Sequence, residues 1–196
     1  MRTDLQLIAD LIPAGSRVLD LGCGDGELLR LLAERGGGGT GVEIELEHFL
    51  AALRRGVDVI DLDINTQLDQ FASDSYDVVV LSGTLQNLQR PAQVLREISR
   101  IARACVVSMP NFAHWRNRLR LLRGRMPVSR NLPYQWYDTP NLHYTSLKDL
   151  APLFDGLGLD ISRWIPLDEQ GRPLRSSRLG ANWLASSAIY LLHARR

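Results

Sequence analysis

A chain of 196 residues, 45% apolar and 23% charged, is long enough to bury a substantial core in one domain and has the balance of an ordinary soluble globular protein. Its net charge of +1 argues against a nucleic-acid footprint spread over the whole surface, and no apolar run approaches membrane-spanning length. Two cysteines, Cys23 and Cys105, give neither a disulfide framework nor metal-ligand spacing, and with no signal-peptide pattern a cytoplasmic location is expected. The charge is unevenly placed. Residues 1–100 hold nine Arg against sixteen Asp and Glu, a net −7, whereas residues 101–196 carry a net +8. Either the two halves face different partners or the surface is unevenly solvated.

In chain order, residues 3–12 put Leu5, Ile8, Leu11 and Ile12 on one helical face, with Thr3 as N-cap and Pro13, Ala14 and Gly15 as the stop. A short apolar run at 17–21 then reads as a buried strand and leads into Gly22, Cys23, Gly24, Asp25 and Gly26, followed by a helix over 26–35. Strand, glycine turn and helix start together make a ligand-binding turn. A dinucleotide fingerprint needs a third glycine where Glu27 stands, and Asp25 and Glu27 would repel a diphosphate. A ligand without phosphate and with a positive centre suits the turn. S-adenosylmethionine, with its ammonium and sulfonium, fits, and the run from Asp20 to Gly26 resembles motif I of class I S-adenosylmethionine-dependent methyltransferases. Asp20, Gly22, Cys23, Gly24 and Gly26 are its expected contacts.

The four glycines 36–39 are expected to end the helix, with a second strand over 40–44. Glu43, about 20 residues past the turn, stands where a carboxylate accepts the ribose hydroxyls of an adenosine ligand, beside Ile44. Glu45 and Glu47 compete with it, and both also read as first-turn acids of the helix over 46–55. A third strand over 57–62 ends at Asp63, which with the Ile64 backbone would meet the adenine amine; alternatively Asp63 caps its loop. Residues 75–82 read as a central fourth strand, Pro91 opens a helix to 103, and 104–109 is a fifth strand stopped by Pro110 and Asn111. This alternation predicts an α/β fold: a doubly wound, mostly parallel seven-stranded sheet of Rossmann-like type, with its ligand at the strands' carboxyl ends.

Residues 113–123 read as a basic amphipathic segment, with Trp115, Leu119 and Leu122 set against Arg116, Arg118, Arg120 and Arg123, and with Arg125 and Arg130 following. A solvated arginine face, a protein-docking face and a nucleic-acid or membrane face all fit it. An aromatic and proline-rich insertion around 124–145 places Tyr134, Trp136, Tyr137, His143 and Tyr144 where they are expected to cover a pocket or an interface. Ser146 is expected to cap a helix over 147–157 closed by Gly158. Strands over 159–166 and 183–194 follow, joined by a mobile loop.

The run from Val18 to Gly26, taken with residues 108–115 (Ser-Met-Pro-Asn-Phe-Ala-His-Trp) and 136–145 (Trp-Tyr-Asp-Thr-Pro-Asn-Leu-His-Tyr-Thr), resembles the MetW family of methionine-biosynthesis proteins over nearly the whole chain. That resemblance implies the class I methyltransferase fold and a role beside the homoserine O-acyltransferase MetX as partner or regulatory subunit. It implies no methyl acceptor. In methyltransferases the carboxyl end of the fourth strand faces the sulfonium, so Ser82, Gly83 and Thr84 would line the pocket.

Many small-molecule methyltransferases of this fold place a histidine where this chain has Asn87, and an amide takes no proton at neutral pH. The remaining candidates for a base are His114, His143 and Tyr144, with Tyr137 and Asp138 behind them. Two functions follow: a ligand-binding partner of the acyltransferase that binds S-adenosylmethionine or S-adenosylhomocysteine, or an active small-molecule methyltransferase with the aromatic segment as lid. Neither needs nucleic acid, membrane or metal.

Overall fold

The computed structural model describes residues 3–195. Strands β1 (Arg17–Leu21), β2 (Gly38–Val42), β3 (Asp58–Ile60), β4 (Tyr76–Ser82), β5 (Ala102–Pro110), β6 (Leu159–Leu167) and β7 (Ser187–Ala194) form one sheet in the order β3-β2-β1-β4-β5-β7-β6. β1 to β5 pair in parallel, and β7 runs antiparallel to both β5 and β6. The helices are α1 (Thr3–Leu11), α2 (Glu27–Glu34), α3 (Leu46–Arg54), α4 (Pro91–Ile101), α5 (Trp115–Leu122), α6 (Leu147–Gly156) and α7 (Arg178–Leu184). None of the described helices is long and apolar enough to cross a membrane.

Successive strand residues point to opposite faces, so each central strand feeds two cores. Val18, Val78 and Val80 pack with Ile8, Leu28 and Leu29 of α1 and α2 on one face. Leu19, Leu21, Val79 and Leu81 pack with Leu95, Ile98, Leu150 and Phe154 of α4 and α6 on the other. Coverage of both faces is why β4 reads as an unbroken apolar run. Neighbours in the sheet bring Leu21 beside Val42 and Asp20 beside Val80, so β1, β2 and β4 end together. The order turns back between β1 and β4, which opens the crevice where ligands of open α/β sheets sit.

Several local expectations are corrected. β2 starts at Gly38 rather than residue 40, because glycines 38 and 39 belong to the strand instead of ending a helix. Thr3 lies in α1 rather than capping it from ahead. The stretch between β6 and β7, expected to be a mobile loop, carries α7, and Trp183 and Leu184 end that helix instead of opening β7. Ser177 caps α7 by accepting from Gly180 N at 3.2 Å, and the small Ala181 and Ala185 face the core, which leaves little apolar periodicity to detect. Ser146 holds the N-cap position of α6, but its hydroxyl donates to Asp149 Oδ2 at 2.6 Å. α5 turns Asn117 inward rather than Leu119 and Leu122, because the Asn117 amide reaches Asn111 O at 3.4 Å.

Candidate functional site

Gly22, Gly24 and Gly26 all lie at positive φ (75°, 57° and 75°), the left-handed region that glycine enters without strain. A Cβ would also lie 2.7 Å from Thr84 Oγ1 at Gly22 and 2.8 Å from Val57 Cγ2 at Gly26. The turn is anchored to the next strand, since Gly22 N and Cys23 N both donate to Val42 O at 2.8 and 3.0 Å. Glu43, the first residue past β2, is buried, and its carboxylate closes the arrangement. Its Oε2 accepts from Gly24 N at 2.8 Å, while Oε1 accepts from Ile44 N and Glu45 N, both at 2.9 Å. The turn and the β2 acid, 19 residues apart, are thus in direct contact. Glu45 and Glu47 are exposed, at the N-cap and first turn of α3.

The surroundings of this turn are negative. Burial pushes the Cys23 thiol up to about 12, reinforced by the carboxylates of Asp20, Glu43 and Asp25. Such a thiol is protonated at neutral pH and serves as a small packing group, its Sγ lying where a Cβ at Gly41 would fall 2.5 Å away. Buried Asp20 supplies charge from the end of β1, and Asp25 also pairs with Arg55 at 2.8 Å. These acids disfavour phosphate and favour a cationic ligand.

Asp63, beyond β3, caps its own loop: Oδ1 accepts from Asn65 N at 2.9 Å and Asn65 Nδ2 at 3.0 Å, and Oδ2 from the Thr66 hydroxyl at 3.1 Å. The Asn65 amide and the other bonds from that turn hold its carboxyl below the usual carboxylate range. Ile64 is half-buried against the core, whereas Ile44 is exposed at the rim. At the end of β4, Ser82 borders a cavity of about 710 Å³ lined by Gln86, Asn87, Ser108, Asn131 and Tyr134 among others. Ser82 Oγ and Gln86 Oε1 are buried there without a hydrogen-bond partner. Gln86, Ser108 and Asn131 escaped the sequence reading. Polar residues at the carboxyl ends of central strands were the available signal for the first two.

The aromatic segment is tied down beside this cavity by two backbone amides and one side-chain amide. Leu142 N and His143 N both donate to Gln86 O at 2.9 and 3.0 Å, and Asn131 Nδ2 donates to Ser186 Oγ at 2.9 Å. Its side chains mostly turn outward: Tyr134 lines the cavity, while Trp136 and Tyr137 are each 70% exposed. The candidate bases are dispersed. His114 is buried ahead of α5, where burial holds its imidazole below its ordinary value. His143 is exposed, and Tyr144 packs its ring on Phe112 with centroids 4.9 Å apart. None of these, nor Tyr137 nor Asp138, is among the residues lining the cavity. Among the described residues no cluster of His, Cys, Asp or Glu could hold a metal ion.

A family model described as methionine biosynthesis protein MetW matches residues 2–192. The chain is 35% identical, over 98% of its own length, to the bifunctional methionine biosynthesis protein MetXA/MetW of Rhodopirellula baltica, and spans 33% of that longer protein. Among solved structures it resembles an S-adenosylmethionine-dependent methyltransferase from Mesorhizobium loti, with a TM-score of 0.71 and 17% identity, covering 97% of each chain. It also resembles magnesium protoporphyrin IX methyltransferase from Synechocystis with bound SAH, with a TM-score of 0.67 and 19% identity, covering 97% of this chain and 79% of that one. The fold is that of the class I S-adenosylmethionine-dependent methyltransferases.

Proposed function

The chain belongs to the MetW family of methionine biosynthesis proteins, and from that premise we propose that it binds S-adenosylmethionine and acts as the regulatory partner of a homoserine O-acyltransferase of the MetX kind. The residues present fit the ligand. Glycines 22, 24 and 26 leave room for its backbone-hugging approach, and Glu43 would accept from the ribose hydroxyls. A carboxylate offers about four lone-pair sites, of which three amides use three, so a sugar hydroxyl takes the remaining site or displaces Gly24 N. Asp63 and the Ile64 backbone would meet the adenine edge, and Asp20 and Ser82 the charged methionyl end. When bound, the ligand carries a sulfonium whose methyl group is activated for transfer.

The observation that carries the regulatory reading is the contrast between this well-formed berth and the strand ends beside it. There the strand ends and the turn after β4 offer Ser82, Gln86, Asn87 and Ser108, hydroxyls and amides that do not take a proton at neutral pH, and the carboxylates of that cavity, Asp4, Glu27 and Glu169, come instead from α1, α2 and the turn after β6, Glu169 being paired with Arg116. The relative of Rhodopirellula baltica supports the choice of partner, because that bifunctional protein carries the names MetXA and MetW on one chain. Ligand binding and partner binding are then coupled, and the coupling is reciprocal. The test is calorimetric titration of S-adenosylmethionine into the chain, with and without the acyltransferase, together with the acylation rate at each ligand concentration. Expected are a saturable heat, co-elution of the two proteins and a rate that responds to the ligand. No heat, no co-elution and a constant rate would defeat it.

The carboxylates of Glu27 and Glu169 also line the cavity and favour a second reading, in which a small molecule seated there receives the methyl group. Labelled methyl transfer into a metabolite extract, abolished by Glu27→Gln or Glu169→Gln, is its signature.

A further inference from the structure

The arginines of the basic half divide into two sets. Arg116 pairs with Glu169 at 2.6 Å and lies over the Trp115 ring at 5.3 Å, and Arg118 donates to Ala113 O at 2.6 Å while lying over Trp183 at 4.9 Å. These two are consumed by the fold. Arg120, Arg123 and Arg125 make no ion pair and no side-chain hydrogen bond among the described residues. They come to one groove because α5 ends at Leu122 and Gly124, with a φ of 70°, turns the chain back so that Arg125 N donates to Arg120 O at 3.0 Å. The three line a groove of about 960 Å³ whose remaining lining includes Met126, Val128 and Trp136. Of that lining Trp136 is 70% and Met126 46% exposed.

Guanidinium groups without a counter-charge in one groove repel one another, and the exposed indole and thioether of its lining leave apolar surface in water. An occupant that relieves both must carry carboxylates and an apolar side chain together. Arginine, tryptophan and methionine are also the residues enriched at the energetic centres of protein interfaces. A nucleic-acid backbone fits less well, because the cationic row does not continue: Arg116 is neutralised and Arg118 is turned onto a ring. We propose that the groove formed by the end of α5 and residues 124–136 is the docking face for an acidic, apolar-anchored segment of the partner protein. This rests on the acyltransferase reading above.

The experiment titrates the full chain with the homoserine O-acyltransferase of the same organism at low and high salt. It uses wild type, the triple variant Arg120→Glu/Arg123→Glu/Arg125→Glu, Trp136→Ala, and the control Leu50→Glu/Leu53→Glu on the exposed face of α3. Expected are wild-type binding that weakens with salt, a loss of at least 100-fold in the triple variant and at least tenfold in Trp136→Ala, unchanged melting temperatures, and a control that binds as wild type. Tight binding by the triple variant, or a complex lost in the control but kept in the triple variant, overturns the docking face and leaves the partner reading standing. A wild-type chain that binds no acyltransferase overturns both. A labelled single-stranded RNA held by wild type and released by the triple variant, with acyltransferase binding intact, reassigns the groove.

Discussion

The proposed ligand site depends on the carboxylate of Glu43. Its two oxygens hold three backbone amides, and in the ligand complex they would share that task with the sugar. Glu43→Ala therefore removes a charge-assisted acceptor and leaves Gly24 N without its bond. The expected loss is about 1.5–3 kcal/mol in S-adenosylmethionine binding, roughly 10- to 150-fold by calorimetry. A variant that binds as wild type would show that the ribose lies elsewhere. The position of this acid was legible in the sequence, because it follows from the spacing between a glycine turn and the end of the next parallel strand. Its bond to Gly24 was not, since 19 residues separate the two and only pairing of β1 with β2 closes the distance. Asp63 is the converse: both its possible roles were visible, and the structure shows the loop-capping bonds without excluding the other.

At the scale of elements, β2 explains the run of glycines. A Cβ at Gly39 would lie 2.5 Å from Val18 O and 2.8 Å from Leu29 Cδ2, and one at Gly41 would strike Cys23 Sγ, so α2 can pack down on the sheet only over bare backbone. A reading that takes glycines as helix stops misses this, because close approach of two elements leaves no local mark. Gly39→Ala is expected to cost about 1–3 kcal/mol through forced separation of packed atoms, read as a lower denaturation midpoint. Gly38→Ala, with nothing within 4 Å of its new Cβ, should fall within about 0.5 kcal/mol of wild type. Equal effects at the two positions would contradict the packing argument. α7 shows the same limit: its inward residues are alanines, and its cap is a single serine.

For the whole molecule, burial of the two thiols predicts how stability responds to alkali. Burial pushes both Cys23 and Cys105 up to about 12 from an ordinary value near 9, with the neighbouring acids adding to it at Cys23. Between those values the unfolded chain has released thiol protons that the folded chain keeps, so stability falls as pH rises from about 9. The urea midpoint should decline from pH 9 to 11, and Cys23→Ala/Cys105→Ala should flatten that slope; an unaltered slope would mean the thiols are not the cause. Apolar periodicity, glycine spacing and the alternation of strands with helices were enough to read the α/β class, the glycine turn after β1 and the acid at the end of β2 from the chain alone, because each is set by residues near one another in sequence. The antiparallel insertion of β7 between β5 and β6, the approach of α2 to β2, and the gathering of Arg120, Arg123 and Arg125 beside Trp136 came only with tertiary structure. These depend on which surfaces meet after the chain has turned back on itself, and contact between distant residues is governed by shape and charge that no local pattern encodes.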